Sequence, residues 1–161
     1  MRLLGARINH YSQVFQLAQA VNHLHKHAII HGNIYPGNIL INQNDEVVLT
    51  DTSVYLATVQ YIEYPSGNVR VPASARYKSP EDRQAEHQYM EESTYAMDVF
   101  AFASTAYAII NGEALNRYLM DHRTLSRPVM MRDELWLILQ KCWSPDPISR
   151  PCMNQILSSI I

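Results

Sequence analysis

The stretch HGNIYPGNILI, His31 to Ile41, sets a histidine, two asparagines and a proline between a helical pattern and an apolar run, and it contains neither a carboxylate nor a lysine. Upstream of it, Val14, Leu17, Ala18, Val21 and Leu24 fall at i, i+3, i+4, i+7 and i+10, which predicts a helix from about Tyr11 to His27 leading straight into the loop. Downstream, ILI (Ile39 to Ile41) and EVVLT (Glu46 to Thr50) are short apolar runs joined by the turn-forming NQND, and together they predict a small hairpin.

Farther out, Asp51 to Pro80 has no sustained period and carries Pro65, Gly67, Asn68 and Pro72, so a long loop is expected there. Thr94 to Ile110 is apolar on almost every side and is closed by Asn111-Gly112, the pattern of a central buried helix. Helical spacing returns in Leu135, Ile138, Leu139 and Cys142, and again in Met153, Ile156, Leu157 and Ile160 after Pro151. No internal repeat and no low-complexity segment interrupts this order.

The bulk numbers exclude several classes of function. A chain of 161 residues, 47% hydrophobic and 17% charged, is long enough for one domain with a real core. Thirteen basic residues against fifteen acidic ones leave a net charge of −2 with no basic stripe, which argues against nucleic acid as a partner. The longest apolar segment, Met97 to Ile110, contains Asp98 and falls short of the ~20 residues a membrane span needs. Cys142 and Cys152 show no CxxC spacing, so both are expected to be buried thiols in a reducing, cytoplasmic setting.

The loop and the segments around it resemble the C-terminal lobe of a eukaryotic protein kinase, from about Tyr11 to the end of the chain. HGNIYPGN lines up with the catalytic-loop pattern H-R-D-x-K-P-x-N; Asp51, thirteen residues past Asn38, falls where the D-F-G aspartate belongs; SPE at 79 to 81 resembles A-P-E. DVFAFA at 98 to 103 resembles the start of the buried helix F of that family, and CWSPDPISRP at 142 to 151 resembles the C-W-x-x-D-P-x-x-R-P run of its tyrosine-kinase-like members. The expected fold is mainly α, a kinase-like C-terminal lobe with a small β-hairpin and a long activation-segment loop, occupying residues 1 to 161 with no N-terminal lobe in the chain.

The resemblance also implies roles for single residues. Asn33 stands where the family has the aspartate that takes the acceptor proton, and its neutral amide is no base at pH 7; such a base contributes about 10²- to 10⁴-fold. Tyr35 replaces the loop lysine and brings no positive charge to the transferred phosphate. Gly32 replaces the arginine that holds a phosphorylated activation segment. Asp51 and Asn38 are the remnant magnesium ligands, with Thr52 and Ser53 in place of phenylalanine and glycine, and two oxygen ligands make a weak site without a held nucleotide. Scaffold positions are kept: His31 as a buried prop, Glu81 as the ion-pair partner of Arg150, and Asp98 as acceptor for the loop backbone.

Two sharper readings lose to plainer ones. HLHKH at 23 to 27 invites a metal, but only His23 and His27 share a helical face, and a helix C-terminus favours imidazolium in any case. Tyr61 and Tyr64, flanking Glu63, are candidate phosphoacceptors, though loop tyrosines mostly pack or sit exposed. The resemblance thus implies a pseudokinase or lobe fragment that acts by binding a protein, with no cofactor expected. The alternative is the C-terminal half of an active kinase, with its N-lobe encoded upstream or supplied in trans, and then ATP and magnesium would be its cofactors.

Overall fold

A computed structural model describes residues 9–50, 73–85, 94–115 and 121–160. Helix α1 spans His10–Lys26; its N-cap is Asn9, whose side chain accepts a hydrogen bond from the Ser12 N–H at 3.2 Å. One face of it, Val14, Leu17, Ala18 and Val21, is buried, as the 3.6-residue spacing predicts. The chain then enters the loop and, after a 3-10 turn at Pro36–Asn38, forms strands β1 (Ile39–Ile41) and β2 (Val47–Leu49), paired antiparallel with Ile39 opposite Leu49.

The hairpin turn is held by Asn42, whose Oδ1 accepts from the N–H groups of Asn44 (2.8 Å) and Glu46 (3.0 Å). Gln16 ties the hairpin to α1 by accepting the Val47 N–H at 2.8 Å. Within the stretch expected to be loop, Ala73–Tyr77 forms a 3-10 turn, and the short helix α2 (Pro80–Ala85) begins at its end. Residues 51–72, which hold Asp51, Thr52, Ser53 and the candidate phosphoacceptors Tyr61 and Tyr64, lie outside the described residues.

Helix α3, Tyr95–Asn111, is the centre of the lobe. Thr94 caps it by accepting the Met97 N–H, Gly112 closes it, and every residue from Met97 to Ala108 is buried. Helix α1 packs along α3 and along α5 (Met153–Ile160), while α4 (Asp133–Cys142) packs on both α3 and α5. A helix buried all round has to satisfy its polar side chains internally. Ser104 does so by donating to the Phe100 carbonyl (2.9 Å) and accepting from the Trp143 indole N–H (3.2 Å).

The two cysteines part company. Burial pushes the Cys142 thiol up to about 12, which leaves it inert in the core. Cys152 is exposed, contrary to the expectation of two buried thiols: it precedes the first residue of α5, so the helical repeat that buries Met153 and Ile156 does not reach it. Among the described residues no helix is long and apolar enough to cross a membrane.

Candidate functional site

The loop from His31 to Asn38 is suspended from the buried carboxylate of Asp98 at the first turn of α3. One oxygen accepts the His31 N–H at 2.7 Å, and the other accepts the Gly32 N–H at 2.8 Å. A third donor, the His25 Nε2 at 3.0 Å, reaches Asp98 from the last turn of α1. The carboxylate thus gathers two backbone amides and one imidazole at a point 1% exposed, where an unpaired charge is costly.

His31 is wholly buried and works as a prop. Its Nε2 lies 3.0 Å from the Thr50 carbonyl, which can only accept, so the ring carries a proton there, and Nδ1 accepts the Asn33 N–H at 3.2 Å. That bond fixes the backbone of Asn33. Its side chain is buried at 5% exposure, and Oδ1 has no hydrogen-bond partner. Asn33 lines a cavity of about 10 Å³ together with Ser74, Lys78 and Asp82, room for a single water. A neutral amide oxygen in that position accepts hydrogen bonds and cannot carry a proton away at neutral pH.

Gly32 has φ +74, the left-handed region that residues with a Cβ avoid at a cost of ~1 kcal/mol or more. Gly32→Arg, which restores the residue of the kinase pattern, is therefore expected to lower stability by about 1 kcal/mol. Thermal unfolding of the variant against the parent checks this, and an unchanged or raised midpoint contradicts it.

The Tyr35 ring lies directly over Gly37: a Cβ built there would come within 2.8 Å of the ring Cζ and 2.9 Å of Oη. Tyr35 also stands 6.2 Å from the ring of Tyr77 in the 3-10 turn that follows the long loop. Position 35 thus carries an aromatic ring packed on Gly37 and no cation. Asn38 donates through Nδ2 to the Asn33 carbonyl at 3.0 Å, which leaves its neutral Oδ1 as the atom available to a cation. Asp51, its expected companion, lies outside the described residues.

Glu81 of α2 and Arg150 meet in a two-pronged pair, with Nη2 to Oε2 at 2.9 Å and Nη1 to Oε1 at 2.5 Å. Arg150 also donates to the carbonyls of Ala96 (2.9 Å) and Ser144 (3.0 Å) and lies over the Phe100 ring. Burial pushes the Glu81 carboxyl up, but the Arg150 hydrogen bonds and other contacts outweigh it, and the net position is below the ordinary range. The pair is lopsided: the arginine side chain is 1% exposed and the glutamate 24%.

Because water reaches Glu81, its truncation costs less than the ~3 to 5 kcal/mol of a fully enclosed pair; Glu81→Ala is expected to lose about 2 kcal/mol. Chemical denaturation measures this, and a loss below about 0.5 kcal/mol means that the pair contributes nothing. Arg150→Ala should cost more than Glu81→Ala, since it also orphans two carbonyls.

Sequence reasoning did not assign His25 to Asp98, because 73 residues separate them and nothing local marks the contact. It also missed His122, which is 1% exposed between the rings of Phe100 (4.7 Å) and Trp143 (5.6 Å). The pair His23 and His27 does share a face, with ring centroids 4.3 Å apart.

Comparison with known proteins agrees with this geometry. The family model described as protein tyrosine and serine/threonine kinase matches residues 6–160. The chain is 30% identical over 148 residues to tyrosine-protein kinase Drl of Drosophila melanogaster, covering 88% of this chain and 24% of that protein. It is 27% identical over 150 residues to tyrosine-protein kinase Dnt of the same organism, covering 90% and 26%. It is 22% identical over 156 residues to fibroblast growth factor receptor 1 of Xenopus laevis, covering 92% and 19%. The chain spans about a quarter of the length of these relatives. With the loop hung from Asp98, the Glu81–Arg150 pair and the central buried helix in place, the chain belongs to the protein tyrosine and serine/threonine kinase family.

Proposed function

We propose that this kinase lobe has lost phosphotransfer and acts by binding another protein. The observation that carries the reading is Asn33, a neutral amide in the place of the base, held by an otherwise intact loop frame. Tyr35 adds to it by filling the position of the loop cation with a ring packed on Gly37. A frame kept while its charges are removed is architecture retained for a surface.

Support for binding comes from the hairpin side, where Leu40 (56%), Ile41 (44%) and Val48 (43%) are exposed. Apolar side chains grouped on one small hairpin suit a protein partner better than water. A second reading, the C-terminal part of an active kinase of the kind its tyrosine-kinase relatives are named for, is favoured by the same frame and by Asn38. In that reading the apolar hairpin packs against an N-lobe.

Nucleotide affinity separates the two. The 161 residues include no glycine-rich loop pattern and no V-A-I-K strand lysine. ATP with magnesium therefore meets too few contacts to offset the cost of association. Binding to this chain is expected no tighter than about 1 mM, near −4 kcal/mol. Calorimetry and a radiolabelled phosphate assay on the purified chain decide it: micromolar ATP binding, or any transfer that Asp51→Ala abolishes, overturns the proposal and establishes the second reading.

A further inference from the structure

The C-terminal end of α1 carries three imidazoles, His23 and His25 in the last turn and His27 at the C-cap, and they have different fates. His25 is turned inward onto Asp98, while His23 and His27 stand exposed on one face with their ring centroids 4.3 Å apart and the planes tilted by 44°. His27 Nδ1 lies 2.8 Å from the His23 carbonyl. A carbonyl cannot donate, so Nδ1 bears the hydrogen, and in the neutral ring the lone pair is on Nε2. A backbone acceptor that fixes the tautomer of an imidazole is the usual support behind a metal-ligating histidine. The fixed tautomer and the closeness of the two rings, neither visible in the sequence, are what favour a metal here over the plainer reading of HLHKH.

We propose that His23 and His27 form a two-imidazole chelate for a borderline divalent transition-metal ion of the Zn²⁺, Ni²⁺ or Cu²⁺ type. Histidines at i and i+4 lie one above the other on a helix, which is the spacing that lets two imidazoles reach one ion. Imidazole nitrogen selects these ions over Mg²⁺ and Ca²⁺, which take hard oxygens. Two protein nitrogens leave the remaining positions to water, so the site is open rather than a closed structural one. Its place gives it a consequence: the ion would clip the helix end on either side of His25, whose ring reaches Asp98, the carboxylate from which the loop hangs.

The test is calorimetric titration of the chelator-free full chain with Zn²⁺, with His23→Ala, His27→Gln and His10→Ala alongside. Supporting partners of a metal ligand alone are worth about 10- to 100-fold, so loss of either ligand should weaken binding by roughly tenfold or more. His10→Ala, at the other end of the same helix, should leave it unchanged. Both substitutions at the site fall on exposed side chains, and circular dichroism verifies that the helix is retained. A Cu²⁺ spin-resonance spectrum should show two nitrogens coupled to the metal in the parent and fewer in either variant. Equal Zn²⁺ affinity in parent and variants, or loss of binding in His10→Ala, overturns the proposal.

Discussion

Replacing Asp98 by alanine is expected to remove about 4 kcal/mol of folding stability, the largest effect of any single substitution considered. The side chain lies at a point 1% exposed and receives the His31 N–H, the Gly32 N–H and His25 Nε2. Without it two backbone donors and an imidazole are left in a closed environment, and each buried orphan costs ~1 to 3 kcal/mol. A domain of this kind has only ~5 to 15 kcal/mol in total, so the variant should unfold near physiological temperature. Asp98→Asn keeps one acceptor oxygen but turns an amide nitrogen toward donors, and should lose roughly half as much. Urea unfolding reads both values, and a loss under about 1.5 kcal/mol for the alanine variant would show that the loop does not depend on this carboxylate.

Acid should weaken the lobe well above the range where carboxylates titrate, and His122 is the cause. Burial, with the Arg83 guanidinium adding to it, lowers its imidazole from 6.5 to about 4; the Arg76 backbone and Asp121 oppose this and are outweighed. Neither ring nitrogen has a well-aligned hydrogen-bond partner to hold a proton. In the unfolded chain the ring takes up a proton below its ordinary value, while the folded state refuses it until the lower one is reached. Stability is therefore fully present above about pH 6.5 and falls as the pH drops toward 4, by roughly 3 kcal/mol over the whole window.

Glu81 acts in the same direction but lower down. Its carboxyl is held below the ordinary value, so its contribution is lost only as acid reaches and passes the carboxylate range. His122→Phe, which keeps an aromatic ring between Phe100 and Trp143, should flatten the fall between pH 6.5 and 4.5 and leave the steeper loss below it. Parallel stability curves for parent and variant would rule His122 out as the source.

What could be read in advance follows from the range over which each signal acts. The apolar period of α1, the all-round burial of α3 and the turn in NQND are local, and each marks its element within a residue or two. The loop frame was legible only through resemblance, since His31, Asp98 and Thr50 come from three separate elements. His122 gave no sign: its neighbours Asp121 and Arg123 pair with one another at the surface, and the aromatic rings that enclose it come from α3 and the end of α4. Cys152 was misjudged because its position next to buried Met153 suggests a core that begins one residue later.

The ring of Tyr35 lying over Gly37 couples the two positions energetically. A side chain added at 37 meets the far end of that ring, which has to turn aside for it, so the cost of a substitution at 37 depends on what stands at 35. Gly37→Ala is expected to be milder in a Tyr35→Ala background than alone, a non-additivity that a double-mutant cycle reads directly.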